Sequence, residues 1–167
     1  MALPGRVLRE GVVGGLIGAT VVALWFLVFD VVQGAPLRTP TVLGRVIAGI
    51  ALGRGMPDPY AGIALAPIAG YTVLHGLGFV VIGLIAAFLI DGAEREPAML
   101  LGLLILFLCF ELIFLGIVSA VDEALVDALL WWNIAIGNLL AAVAMITYFF
   151  LGHRSLGARL LERWSED

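Results

Sequence analysis

Hydrophobic positions fall into four long runs, residues 11–32, 62–90, 97–118 and 129–151, divided by short polar segments. Each run matches or exceeds the roughly 20 residues that a helix needs to cross a hydrocarbon layer of about 30 Å. The pattern predicts an all-α, four-helix transmembrane bundle forming a single integral membrane domain over residues 1–167. The longest connection, 33–61, carries Pro36, Thr39, Pro40, Pro57 and Pro59 around a compact apolar stretch, TVLGRVIAGIALG. That stretch is too short to span. It predicts an outer interfacial or re-entrant helix between the first two spans, capped by Thr39 with Pro40 at its first position and with Arg45 turned to water or headgroups.

The connection DGAEREP forces the second and third spans into an antiparallel hairpin. The last connection, SAVDEALVDA, holds Asp122, Glu123 and Asp127 with no base, whereas 33–61 holds three arginines, so the two outer segments are expected to dock by opposite charge. Residues 152–167 read as an interfacial tail, with Arg159 and Arg163 on one helical face and Leu156, Leu160 and Trp164 on another. The second and fourth spans both open on aromatic and polar residues, YTVLHGLGFVVIG and WWNIAIGNLLAAV, a pattern that two tandem hairpins would explain.

Composition sharpens this picture. Of the 167 residues, 62% are hydrophobic and 13% charged, against an apolar share of roughly 45–50% in soluble domains. A soluble monomer is excluded, and so little chain lies outside the spans that no separate catalytic domain is expected. All nine basic residues are arginines, and the net charge is −4, which excludes a nucleic-acid-binding surface. The first run is too long for a signal-peptide core and carries Asp30, so it reads as a span. Arg6, Arg9, Arg95, Arg154, Arg159 and Arg163 lie on one side and Arg38, Arg45 and Arg54 on the other, which predicts cytoplasmic N- and C-termini. The single cysteine, Cys109, allows no internal disulfide and reads as a small buried hydrophobe.

Small residues at intervals of four mark helix-packing faces in lipid, where close backbone approach replaces the hydrophobic drive. Gly11, Gly15 and Ala19 form one such face on the first span, with Gly14 and Gly18 beside it, and Gly62, Ala66 and Gly70 form another on the second.

Ionisable groups within the hydrocarbon cost roughly 2.5–3.5 kcal/mol or more at its centre, so intramembrane polar residues are the natural functional candidates. Each span supplies at least one: Asp30, His75, Glu111, and Asn133 with Asn138. At about 1.5 Å per residue, His75, Glu111 and Asn138 lie roughly 10–14 Å below the outer ends and can share one layer, with Asp30 and Asn133 nearer the rim. Tyr71 and Thr72 precede His75 by one helical turn and can extend a polar track outward. Three chemistries fit this set. The residues can form structural hydrogen bonds. His75 and Glu111 can make a proton or ligand site. His75 with Glu111 and Asp30 can hold a divalent metal, or His75 can ligate a haem or chlorin from one side. Trp131 and Trp132 open the fourth span as an interfacial aromatic belt, while Trp25 and Phe26 face lipid or core. No nucleophile–base order, phosphate loop or dinucleotide fingerprint occurs.

The segments GLIGATVVALWFLVFDVVQGAPLRTPTVLG and YTVLHGLGFVVIG resemble a group of small, uncharacterised four-span bacterial membrane proteins. The resemblance implies architecture and no activity. The sequence reading is a non-enzymatic membrane subunit surrounded by lipid and packed against other transmembrane subunits or further copies of itself. Its alternatives are a proton-linked carrier using His75 and Glu111, and a cofactor- or metal-binding subunit.

Overall fold

The computed structural model describes residues 5–53, 62–121 and 131–153, without the side chains of 115 and 117–121. It is all-helical among these residues: α1 (Gly5–Val32), α2 (Arg38–Ala51), α3 (Leu65–Ala93), a single 3-10 turn (Pro97–Met99), α4 (Leu100–Val121) and α5 (Trp131–Gly152). Four of the helices are long and apolar enough to cross a membrane, and the chain is a multi-pass membrane protein. The expected docking of the outer loops and the interfacial tail beyond His153 lie outside the described residues.

Helix boundaries depart from the hydrophobic runs by a few residues, most at the start of α1. Helix α1 starts at Gly5, so Arg6 and Glu10 belong to its first turns, and their i,i+4 ion pair at 2.9 Å lets a charged segment extend the apolar helix. Helix α3 starts at Leu65 and runs on to Ala93, absorbing Asp91 from the expected hairpin connection.

Helix α1 is the hub. Its small residues make two faces, because at 100° per residue Gly11 and Gly15 point one way and Gly14 and Gly18 another. A Cβ at Gly11 would lie 2.7 Å from the Leu84 Cα, and one at Gly15 would lie 2.7 Å from the Val80 Cα, so α1 and α3 meet backbone to backbone. Gly83 completes the crossing from the α3 side, its Cβ position falling on the backbone of Gly11 and Gly15. The second face receives α5: Phe149 closes over Gly14 and Met145 over Gly18. Phe79, Ala87, Ile90, Ala141 and Val7 fill the space between.

The proposed packing face of the second span is a correction. Gly62 lies before α3, Gly62 and Gly70 have open space at their Cβ positions, and Ala66 is exposed. The residues of α3 that pack are Phe79, Gly83, Ala86, Ala87 and Ile90, further along the helix, where α1 crosses it.

Helix α4 packs more loosely: among the described residues none of its side chains is fully buried, although Leu103, Leu106 and Phe114 lie against the core. Leu101, Leu104, Leu112 and Ile113 are more than half exposed, and Cys109 is exposed where the sequence reading placed it inside. The close α1–α3 crossing has no counterpart between α4 and α5, so the tandem-hairpin reading gains no support from the packing.

Candidate functional site

Helix α1 ends in a Schellman motif. Gly34 takes the left-handed conformation at φ 71°, its N–H donates to the Val31 carbonyl, and the Ala35 N–H donates to the Asp30 carbonyl. The chain then reverses through Leu37, a non-glycine residue at φ 62°, and enters α2. Thr39 does not cap α2 through its hydroxyl. The buried Asp30 carboxylate caps it from α1, accepting the Thr39 N–H at 2.8 Å and the Thr39 hydroxyl proton at 2.7 Å. A carboxylate at the first turn of a 14-residue helix also meets the positive end of its dipole. Asp30 is therefore a staple between α1 and α2. Asp30→Ala is expected to raise amide hydrogen exchange over residues 39–41 about tenfold, as the loss of one to two hydrogen bonds implies, with α1 unchanged. Unaltered protection of those amides would show that the cap carries no stability.

Gly44 lets α2 lie against the Pro67 carbonyl at the start of α3. Arg45 is not turned wholly to water: it is half-buried and donates to the Gly62 carbonyl at 2.5 Å.

His75 stands one turn before the buried Phe79 and faces α1. Its Nε2–H donates to the Ala19 carbonyl at 3.2 Å, and its Nδ1 accepts from the Tyr71 hydroxyl at 3.3 Å, with the Tyr71 ring stacked beside it at 5.3 Å between centroids. Both ring nitrogens are thus engaged and the arrangement is that of a neutral imidazole. No hydrogen bond or ion pair joins His75 to Glu111, so the expected His/Glu pair is corrected: α1, not α4, holds the imidazole.

Tyr71, His75 and Asn138, with Thr39, line a cavity of about 40 Å³ between the helices. This brings together three of the residues singled out from the sequence, at one level of the bundle. Glu111 lies outside this lining. Asn138 is within weak hydrogen-bonding reach of it, yet neither carboxylate oxygen makes a well-formed hydrogen bond, and both are shielded from solvent. Asn133 is fully buried near the start of α5. Its carbonyl and its side-chain Oδ1 share the Trp25 indole N–H, at 3.0 and 2.8 Å, with the indole laid over Gly137. Trp25 accordingly packs between α1 and α5 and does not face lipid.

The residues fit a cofactor poorly. A haem or chlorin ligand needs a free nitrogen and open space for a macrocycle, whereas both His75 nitrogens are used and the adjoining cavity holds only a few water-sized groups. Among the described residues no group of three His, Cys, Asp or Glu side chains is arranged to hold a metal ion.

At the opposite end of the bundle lies a second polar cluster, built from residues at the helix ends and not from the intramembrane polar groups. His153, with 1% of its side chain exposed, sits just after α5. Its Nδ1 is 2.6 Å from Glu94 Oε1 at the end of α3, and its Nε2 is 3.0 Å from Glu10 Oε2 on α1. Arg6 Nη2 lies 3.2–3.3 Å from both ring nitrogens and also donates to the Gly152 carbonyl at 3.3 Å, while its Nε donates to Glu10. The start of α1 and the ends of α3 and α5 are thereby tied at one membrane face.

Neither a family model, nor a curated protein, nor a solved structure matches this chain.

Proposed function

We propose that this chain is a non-enzymatic subunit of a membrane complex, joined to other transmembrane helices or to copies of itself through α4, in a bacterial inner membrane with both termini cytoplasmic. The observation that carries this reading is the asymmetry of packing. Helices α1, α3 and α5 interlock, whereas α4 leaves the Glu111 carboxylate without a well-formed hydrogen bond and exposes Leu108, Leu112 and Ile113. Burying a carboxylate in hydrocarbon without a partner is costly, and a neighbouring helix with a donor at that level would remove the cost.

Cys109 supplies the test, being exposed on α4 and the chain's sole cysteine. A benzophenone-maleimide attached to Cys109 in native membranes is expected to give protein adducts of discrete mass. The same reagent on a Leu24→Cys, Cys109→Ser variant, placed on the outer face of α1, is expected to give lipid adducts alone. Lipid adducts from both positions would overturn the assignment of α4.

The poorly bonded Glu111 also favours one second reading, a small proton-linked carrier that loads a proton on this carboxylate. Under that reading Glu111→Gln abolishes proton-coupled flux while leaving the fold intact, and unchanged flux removes it.

A further inference from the structure

Beside the polar cavity runs a second space, a groove of about 70 Å³ left where α4 and α5 fail to close over α3. Among its described lining residues, which include Leu103, Phe107, Ala142 and Phe149, Asn138 alone is polar. The two spaces meet: Phe79, Phe110 and Asn138 line both. A molecule lying in the groove with its end at Asn138 therefore passes from a carbon surface to one bearing an amide, a tyrosine hydroxyl and an imidazole.

From this juxtaposition we infer that the bundle binds a single-chain lipophile with a small neutral hydroxyl head, such as a long-chain alcohol. The chain lies in the α3–α4–α5 groove and the head lies against Asn138 and Tyr71. This site is independent of the packing role proposed for α4, and each can fail alone.

Size and charge select the head. A cavity of about 40 Å³ has room for about three water-sized groups, enough for a hydroxyl and the carbon that bears it but not for a phosphate or a ring. No arginine lines either space among the described residues. The Asp30 carboxylate stands directly behind the Thr39 wall, and Glu111 lies beside Asn138, so an anionic head is opposed from two sides. A cationic head makes no contact ion pair, because neither Asp30 nor Glu111 belongs to the lining of either space. A hydroxyl both donates and accepts, which suits the Asn138 amide and the free lone pair of Tyr71, whose proton is already given to His75. The hydrogen bonds at the polar end supply the preference over bulk lipid, and the apolar walls seat the chain and set its direction.

The test is photolabelling of the full chain in phosphatidylcholine vesicles with a diazirine-bearing hexadecanol, the adducts being located by peptide mass. Saturable labelling of residues 103–110 and 138–149, competed by unlabelled hexadecanol and not by hexadecanoate or hexadecylamine, is the expected result. Ala142→Phe, which fills the groove, is expected to abolish that labelling, and Asn138→Leu to weaken competition about fivefold, as for one lost hydrogen bond. Competition by the acid or the amine at least as strong as by the alcohol would overturn the head assignment. Unsaturable labelling spread over the outer face of α4 would show bulk lipid only and overturn the site. Competition is measured on the unaltered chain, so the inference stays testable even if both variants misfold.

Discussion

Gly15→Leu is expected to unfold the bundle at markedly lower denaturant than the parent, with a loss of about 2–4 kcal/mol, the upper range for overpacking a close contact. A side chain at Gly15 meets not the movable tip of a neighbour but the α3 backbone, with the Val80 Cα at 2.7 Å from the added Cβ. The helices would have to separate along their crossing, and Gly11 and Gly83 would lose their contacts together, because all three positions share one approach of backbones. In lipid that loss is not made up elsewhere, since apolar side chains gain nothing by leaving hydrocarbon for protein and association depends on close packing. Two comparisons isolate the cause. Gly70→Leu adds the same side chain to a glycine with open space around it and is expected to shift the midpoint by less than about 0.5 kcal/mol. Gly18→Ala meets the Met145 Sδ and the Phe79 ring edge, groups that can move, and should fall between the two. SDS titration followed by far-UV circular dichroism measures all three, and equal midpoints for Gly15→Leu and Gly70→Leu would refute the crossing as the source of stability.

The same glycines show what the sequence makes legible. Span positions follow from length and hydropathy alone, and the α1 packing face follows from Gly11, Gly15 and Ala19, which the structure buries. The α3 face does not, because a membrane helix carries glycines for several reasons and spacing cannot say which of them a neighbour crosses. Gly62, Ala66 and Gly70 keep the interval of four but lie before the crossing, while Gly83 meets α1 without belonging to that series. Depth along the helices places His75 and Asn138 on one cavity, yet cannot reveal that the imidazole turns to the Ala19 carbonyl instead of to Glu111, which depends on helix rotation. Asp30 reads from the sequence as a buried acid, and its use as a cap requires knowing that the chain doubles back within nine residues.

His153 was hidden for a different reason, and its replacement should have the second large effect. It follows the last apolar residue of the fourth run, Leu151, so a reading by hydropathy assigns it to the polar tail. The available signal was positional: Glu10, Glu94 and His153 all stand at span ends that the topology places on one membrane face, and Arg6 lies one turn before Glu10. In the structure the imidazole separates two carboxylates and contacts both through its ring nitrogens. His153→Ala removes that bridge and leaves Glu10 and Glu94 facing a cavity, with Arg6 still paired to Glu10. Breaking a buried ion pair by deleting one partner costs roughly 3–5 kcal/mol. Glu94, with 31% of its side chain exposed, recovers part of this through water, so a loss of about 2–3 kcal/mol is expected. Like-charge repulsion predicts the sign of the rescue: Glu94→Gln added to His153→Ala should restore about 1 kcal/mol, whereas Glu94→Gln alone should destabilise. A double-mutant cycle read by SDS unfolding decides the matter. Additive losses would mean that the imidazole merely fills space, and a non-additive pair would establish that charge ties the start of α1 to the ends of α3 and α5.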